Sequence, residues 1–155
     1  MSHLIAVGER APDFTLQDQD QNDVSLSSFQ GEKNVILAFY PLDFSPVCSN
    51  EHACFRDDLK NFEGLNAQVL GISVDSAWAH KAFAQQLGVS YPLLADFNPR
   101  GEVAAKFGLY LEDKGITQRA TVVIDKQGVV RYVYVNEILQ QRDNKEIEKA
   151  LNQLD

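Results

Sequence analysis

The chain has 155 residues, 45% of them hydrophobic and 23% charged, an ordinary balance for one globular domain over 1–155 with a buried core. Its 14 basic and 22 acidic residues give a net charge of -8, which argues against nucleic acid or an anionic membrane surface as a partner. No apolar run approaches the roughly 18 residues needed to span a bilayer, and two cysteines do not make a disulfide framework.

Met1 to Glu9 has neither a basic start nor a long apolar stretch, so no secretory signal is read and a cytoplasmic location is expected. Ala11 to Leu16 alternates apolar and polar residues, as a short strand does. Val24-Ser25-Leu26 reads as its partner across a polar turn, and Ser27 to Gly31 as one helical turn. Val35 to Tyr40 is a continuous apolar run, a buried strand that Pro41 should stop, and a helix follows from about Val47 to Phe62. Gln68 to Val74 is a second buried strand. A helix over Ala77–Leu87 should end at Gly88, because glycine accepts the left-handed conformation of a helix end.

Further on, Pro92 to Ala95 is expected as a short strand and Glu102 to Phe107 as a short helix. Ala120–Ile124 and Val129–Val135 flank Asp125-Lys126-Gln127-Gly128, the pattern of a hairpin closed by glycine. The last segment, from Asn144 to Leu154, sets Ile147, Leu151 and Leu154 on one helix face. Strands alternating with helices, then a hairpin and a final helix, describe an α/β sandwich with a central mixed sheet. That order resembles the thioredoxin-like fold, here with an N-terminal β extension.

The chemistry gathers at Cys48, in the first turn of the helix that follows the Val35–Tyr40 strand. A thiolate, not a thiol, is the nucleophile, and a helix N-terminus favours negative charge. At 100° per residue, Cys48, Phe55, Leu59 and Phe62 fall within about 40° of one another, so Cys48 starts on the inward face, in a partly apolar recess. Ser45 supplies a hydroxyl one turn earlier, able to donate to a thiolate or a substrate oxygen. Pro41 and Pro46 fix φ and stiffen the loop between strand and helix.

Pro41-x-x-x-Ser45-x-x-Cys48 resembles the active-site signature of the peroxiredoxins, which place Thr or Ser at its middle position. Gly8-x-x-Ala11-Pro12-Asp13-Phe14 is similar to the opening of that family. Leu93-Leu94-Ala95-Asp96 and the segment from Thr117 to Asp125 are similar to two further family segments, the latter bringing an arginine. The resemblance covers nearly the whole chain. It implies a thiol-dependent peroxidase acting on hydrogen peroxide and organic hydroperoxides, without metal, haem or flavin, and often a homodimer. It implies that Cys48 is the nucleophile, that Arg119 stabilises the thiolate and the developing charge, and that Ser45 with the Val47 and Cys48 N–H groups holds the peroxide. Pro41 would shield the thiolate from water and Glu51 would support Arg119.

Cys54 leaves the subgroup open. In the bacterioferritin-comigratory (PrxQ) group a resolving cysteine commonly lies five residues after the nucleophile; here that position is Ala53, and Cys54 comes one later. Six helical residues set the two Cα atoms ~10 Å and ~120° apart, whereas a disulfide needs roughly 4.4–6.8 Å. Much of the chain is more similar to the AhpE-type one-cysteine group, in which an external thiol or a thioredoxin- or glutaredoxin-like reductant completes the cycle. A buried structural thiol is the plainer reading of Cys54. Other readings stay beside these: Arg119 as a strand-edge surface residue, Glu51 as a first-turn carboxylate, and Trp78 and Phe83 as helix packing. Asp57-Asp58 reads as a solvated face. A remote alternative is a metal-binding domain using Cys48, His52 and Cys54.

Overall fold

The computed structural model describes residues 3–154. Its strands are β1 (Thr15–Gln17), β2 (Asp23–Ser25), β3 (Asn34–Phe39), β4 (Ala67–Ser73), β5 (Leu93–Ala95), β6 (Tyr110–Leu111), β7 (Ile116–Thr117), β8 (Arg119–Ile124) and β9 (Val130–Asn136). Its α-helices are α1 (Pro46–Gly64), α2 (Ala77–Leu87), α3 (Glu102–Lys106) and α4 (Asn144–Asn152). Seven strands form one sheet in the order β2-β1-β5-β4-β3-β8-β9, while β6 and β7 form a separate ribbon. β3, β4 and β5 run parallel; β8 is antiparallel to β3, and β9 to β8. This is the expected mixed sheet with an N-terminal β extension, β1 and β2, at its edge.

The two central strands explain why their sequences read as apolar runs: every residue of β3 and of β8 is buried. Alternate residues of β3 serve two cores. Ile36 and Ala38, with Tyr40 just beyond the strand, face α1, α2 and α4, where they meet Phe55, Phe62, Phe83, Ile147 and Leu151. Val35, Leu37 and Phe39 face α3 and the N-terminal segment, through Val103, Phe107, Phe14 and Leu26. Burying a side chain of this size is worth about 1.5–3 kcal/mol, so the two clusters are the main hold on the sheet.

The expected boundaries of α2 agree with the structure: Gly88 ends it at φ 70°, and the Ser76 hydroxyl accepts from Ala79 N–H at its start. The expected helical turn after β2 is a 3-10 helix over Leu26–Phe29. The β6–β7 ribbon was not expected from sequence. Two residues per strand are too few to show a period of two. Trp78 also differs from the helix-packing reading: it is 73% exposed, whereas Phe83 is buried as expected. Asp57 is exposed and pairs with Arg56. Asp58 is half-buried and accepts from Asn144 Nδ2, so only part of that pair is a solvated face. Among the described residues, no helix is long and apolar enough to cross a membrane.

Candidate active site

Strand β3 delivers the site. Its last residue, Phe39, pairs with Ile72 of β4 and with Ala120 of β8, so Arg119 stands one step beyond the pairing, at the sheet end where the chain leaves for α1. Side chains alternate along a strand, and Val123 belongs to the α1-facing core, so Arg119 and Thr121 point to that same side. Cys48 occupies the third position of α1, behind Pro46, with Ser45 as N-cap. The first orphan N–H groups of a helix have no intrahelical acceptor. Pro46 has no N–H to give and Ser49 N–H already bonds Ser45 O at 2.8 Å, so Val47 and Cys48 hold the free donors of this helix start.

Cys48 is fully buried, and an Arg119 Nη1–H points at its sulfur from 3.3 Å. Arg119 is itself buried and is fixed at both ends: its Nε donates to Ile138 O at 2.8 Å, and its Nη1 also donates to Glu51 Oε1. Arg119 is therefore no surface residue, and Glu51 is no solvated first-turn carboxylate. A guanidinium beside sulfur supplies the positive charge and N–H donor that a buried thiolate needs.

Arg142, which the sequence did not single out, completes the arrangement. From the loop before α4 its N–H and Nε reach Glu51 Oε2 at 2.8 and 3.0 Å. Its two Nη atoms donate to Ala120 O, Thr121 Oγ1, Phe39 O and Glu51 Oε1. Glu51 is thus clamped between two buried guanidiniums, one of which touches the sulfur. No motif in Gln140-Gln141-Arg142-Asp143-Asn144 announces this; a lone arginine in a polar loop reads as solvated.

The loop between β3 and α1 is held by a second network. Pro41 is buried, and Tyr40 OH donates to Asp43 Oδ1 at 2.6 Å. His80 Nδ1 lies 2.7 Å from Asp43 Oδ2, with its Nε2 at 3.0 Å from Leu94 O. Asp43 N–H donates to Asp75 Oδ2 at 2.8 Å. Burial pushes the Tyr40 hydroxyl well above its ordinary range, reinforced by Asp43, and burial likewise raises the Asp75 carboxyl, with Asp43 adding to it. Phe44 takes a left-handed φ of 70° at the turn into α1 and packs edge-on against Phe83 at 5.0 Å.

Three expectations change. The Ser45 hydroxyl donates to Leu42 O at 3.2 Å rather than to Cys48. The metal-binding alternative fails because its three groups do not converge. Cys48 meets Arg119, the His52 ring bonds Tyr91, and Cys54, half-buried, accepts from Gln141 Nε2 at 3.2 Å. Cys54 is therefore not the packed core thiol of the plainer reading. Both cysteines are free.

A recessed cysteine at a helix start, with a fixed guanidinium on its sulfur and free N–H donors around it, suits attack on a small electrophile that leaves as an anion. Residues 7–133 match the AhpC/TSA family. The chain belongs to that family. Its class is accordingly that of a peroxiredoxin-type peroxidase, an oxidoreductase. Alkyl hydroperoxide reductase E of Mycobacterium tuberculosis is 41% identical over 142 residues, covering 92% of this chain and 93% of that protein. The chloroplastic peroxiredoxin Q of Triticum aestivum is 38% identical over 151 residues, covering 97% of this chain and 68% of that one. Among solved structures, peroxidoxin BcpB from Mycobacterium tuberculosis superposes with a TM-score of 0.86 at 31% identity, covering 97% of this chain and 98% of that one. These likenesses bear out the thioredoxin-like α/β fold.

Proposed function

We propose that this peroxiredoxin works as a one-cysteine enzyme. The Cys48 thiolate attacks the terminal oxygen of hydrogen peroxide or an organic hydroperoxide. The S–O bond forms as O–O breaks, the electron pair leaves on the departing alkoxide, and a proton from solvent turns that alkoxide into water or alcohol. Arg119 and the Val47 and Cys48 N–H groups supply donors for the oxygens as charge moves onto the leaving one. Glu51 orients Arg119, Pro41 keeps water from the sulfur, and Ser45 steadies the loop through Leu42 and can turn towards a bound peroxide. An external thiol then attacks the Cys48 sulfenic acid, giving a mixed disulfide and water; a second thiol restores Cys48. A reducing, cytoplasmic compartment supplies such a thiol.

The observation that carries the one-cysteine reading is the placement of Cys54. It lies on the side of α1 turned to Gln141 and the start of α4, about 120° around the axis from Cys48. The same residue's partial exposure supports the competing PrxQ-like reading, in which α1 unwinds and Cys54 resolves Cys48. Steady-state turnover with dithiothreitol separates both from inactivity, and the thiols left after one equivalent of peroxide separate them from each other. Cys48→Ser should consume no peroxide, while Cys54→Ser should turn over like the wild type. An active Cys48→Ser overturns the nucleophile, and an inactive Cys54→Ser overturns the one-cysteine cycle.

A homodimer through the active-site face is part of the same proposal. Exposed Leu42 and Phe44 follow β3, exposed Trp78 follows β4 and exposed Phe97 follows β5. These three strands are parallel neighbours, so the four side chains collect at one end of the sheet, where an apolar patch calls for cover. Light scattering at micromolar concentration should give twice the chain mass; a monomer would contradict the dimer and leave the chemistry untouched.

A further inference from the structure

His52 follows Cys48 by one turn on the same face of α1, and both side chains are buried. Its ring is enclosed by Tyr40 at 4.2 Å, Phe83 at 5.6 Å, Tyr91 at 5.9 Å and Phe55 at 6.3 Å between centroids. Gly71 of β4 makes the space: a Cβ there would lie 3.2 Å from His52 Cε1 and 2.8 Å from Leu93 Cδ2. The ring's Nδ1 bonds the Tyr91 hydroxyl, and its Nε2 is buried without a partner among the described residues.

A neutral imidazole carries one N–H and can give or accept one bond at Tyr91. An imidazolium carries two, and its Nε2–H would meet no acceptor, which costs the full desolvation of a charged donor. The groups around it do not help. Tyr40 comes from just after β3, His80 from α2, Tyr91 from the segment before β5, Arg119 from β8 and Arg142 from the loop before α4. Glu51, the anion on its own helix, is committed to the two arginines. Burial first, then the charges of Arg142, His80 and Arg119, hold the His52 pKa well below 6.5.

We propose that His52 is a positioning residue for Cys48 that couples opening of the first turns of α1 to the uptake of one proton. Neutral and packed, it holds the turns shut with Cys48 against Arg119. Once protonated, it is accommodated only in the opened form. Residues four apart share a helix face, so motion that brings the Cys48 sulfur out to a thiol also brings out His52.

The consequence rests on the external-thiol reading above. Opened, the Cys48 sulfenic acid reacts with a thiol to give a mixed disulfide and water. Closed, it remains where a second peroxide can oxidise it to the sulfinic acid, releasing water or alcohol. Acid then favours reduction over loss of the enzyme to overoxidation.

The size of the effect follows from linkage. An exposed histidine titrates near 6.5, so the opening constant scales as one plus the ratio of charged to neutral ring in the opened form. That sum is about 1.1 at pH 7.5 and about 11 at pH 5.5. The sign is fixed: a base with a lowered pKa in the closed form makes that form less stable as pH falls below ~6.5.

Amide hydrogen exchange on the reduced wild-type protein, with rates divided by the intrinsic rate at each pH, reads the opening directly. Protection of residues 49–55 should fall about tenfold from pH 7.5 to 5.5, with no such change in β3 or β8. His52→Leu should flatten that dependence. Should His52→Leu not fold, histidine ring nitrogen shifts in the wild type still decide: His52 should stay neutral to pH 5.5 in the closed form. Unchanged protection over this range, or a ring that titrates near 6.5 with protection intact, would overturn the proposal. Neither peroxide nor thiol enters the measurement, so its failure is distinct from failure of the peroxidase cycle.

Discussion

Arg142→Met tests whether the Arg119–Glu51–Arg142 arrangement carries the weight the geometry assigns to it. Methionine retains much of the apolar stem and removes five side-chain hydrogen bonds. It leaves the buried Glu51 carboxylate with the Arg119 guanidinium and the main-chain N–H of residue 142, and strips a partner from Phe39 O and Ala120 O inside the protein. Breaking one side of a buried ion pair costs about 3–5 kcal/mol, and the stranded carbonyls add to that without being fully additive. A loss of about 4 kcal/mol, with a urea slope of about 2 kcal/mol/M, moves the unfolding midpoint down by roughly 2 M. Arg142→Lys should recover less than half of this, because one ammonium cannot span acceptors on Glu51, β3 and β8 at once. The assay is equilibrium urea unfolding followed by circular dichroism. A midpoint within about 0.5 M of wild type for Arg142→Met would mean that Glu51 is neutralised or hydrated in some other way and that Arg142 does not carry the arrangement.

Three further outcomes follow from the same geometry. Arg119→Ala should lower kcat/KM for hydrogen peroxide by about 10²–10³, the usual cost of one preorganised donor, while far-UV circular dichroism remains native; a loss under fivefold would remove Arg119 from the chemistry. Asp75→Asn should be more stable relative to wild type at pH 7 than at pH 3. Burial raises the Asp75 carboxyl, so its favourable contribution is complete below about pH 3.8 and disappears as pH rises through the folded value. A stability difference independent of pH in paired thermal melts would contradict that sign. Phe44→Ala should shift the proposed dimer towards monomer in sedimentation while leaving Tm within a few degrees, and a dimer unaltered by it would place the interface elsewhere.

What was legible in the sequence follows the ranges of the forces involved. β3, β4 and β8 read as apolar runs because the sheet buries both their faces, and α2 announced its end through Gly88. The placement of Cys48 at a helix start was visible from Pro41, Pro46 and the periodicity behind them. Its meeting with Arg119, 71 residues on, was not derivable from spacing; the resemblance of the segment around Arg119 suggested it. Arg142 was invisible because its partners lie on α1, β3 and β8, and only the assembled sheet brings them within reach. His52 read as half of an i, i+4 pair with Cys48, which suggested a metal. The fold instead turns its ring to Tyr91, 39 residues away. Polar contacts across long sequence separations leave no periodic trace, whereas burial does.

Intact mass after one equivalent of hydrogen peroxide, on freshly reduced protein without added thiol, tests the one-cysteine cycle most directly. A one-cysteine cycle gives a gain of one oxygen, converted entirely to a single dimedone adduct on the peptide that contains Cys48, with Cys54 still open to alkylation. A loss of two hydrogens, with Cys48 and Cys54 joined and neither thiol left to alkylate, would contradict it.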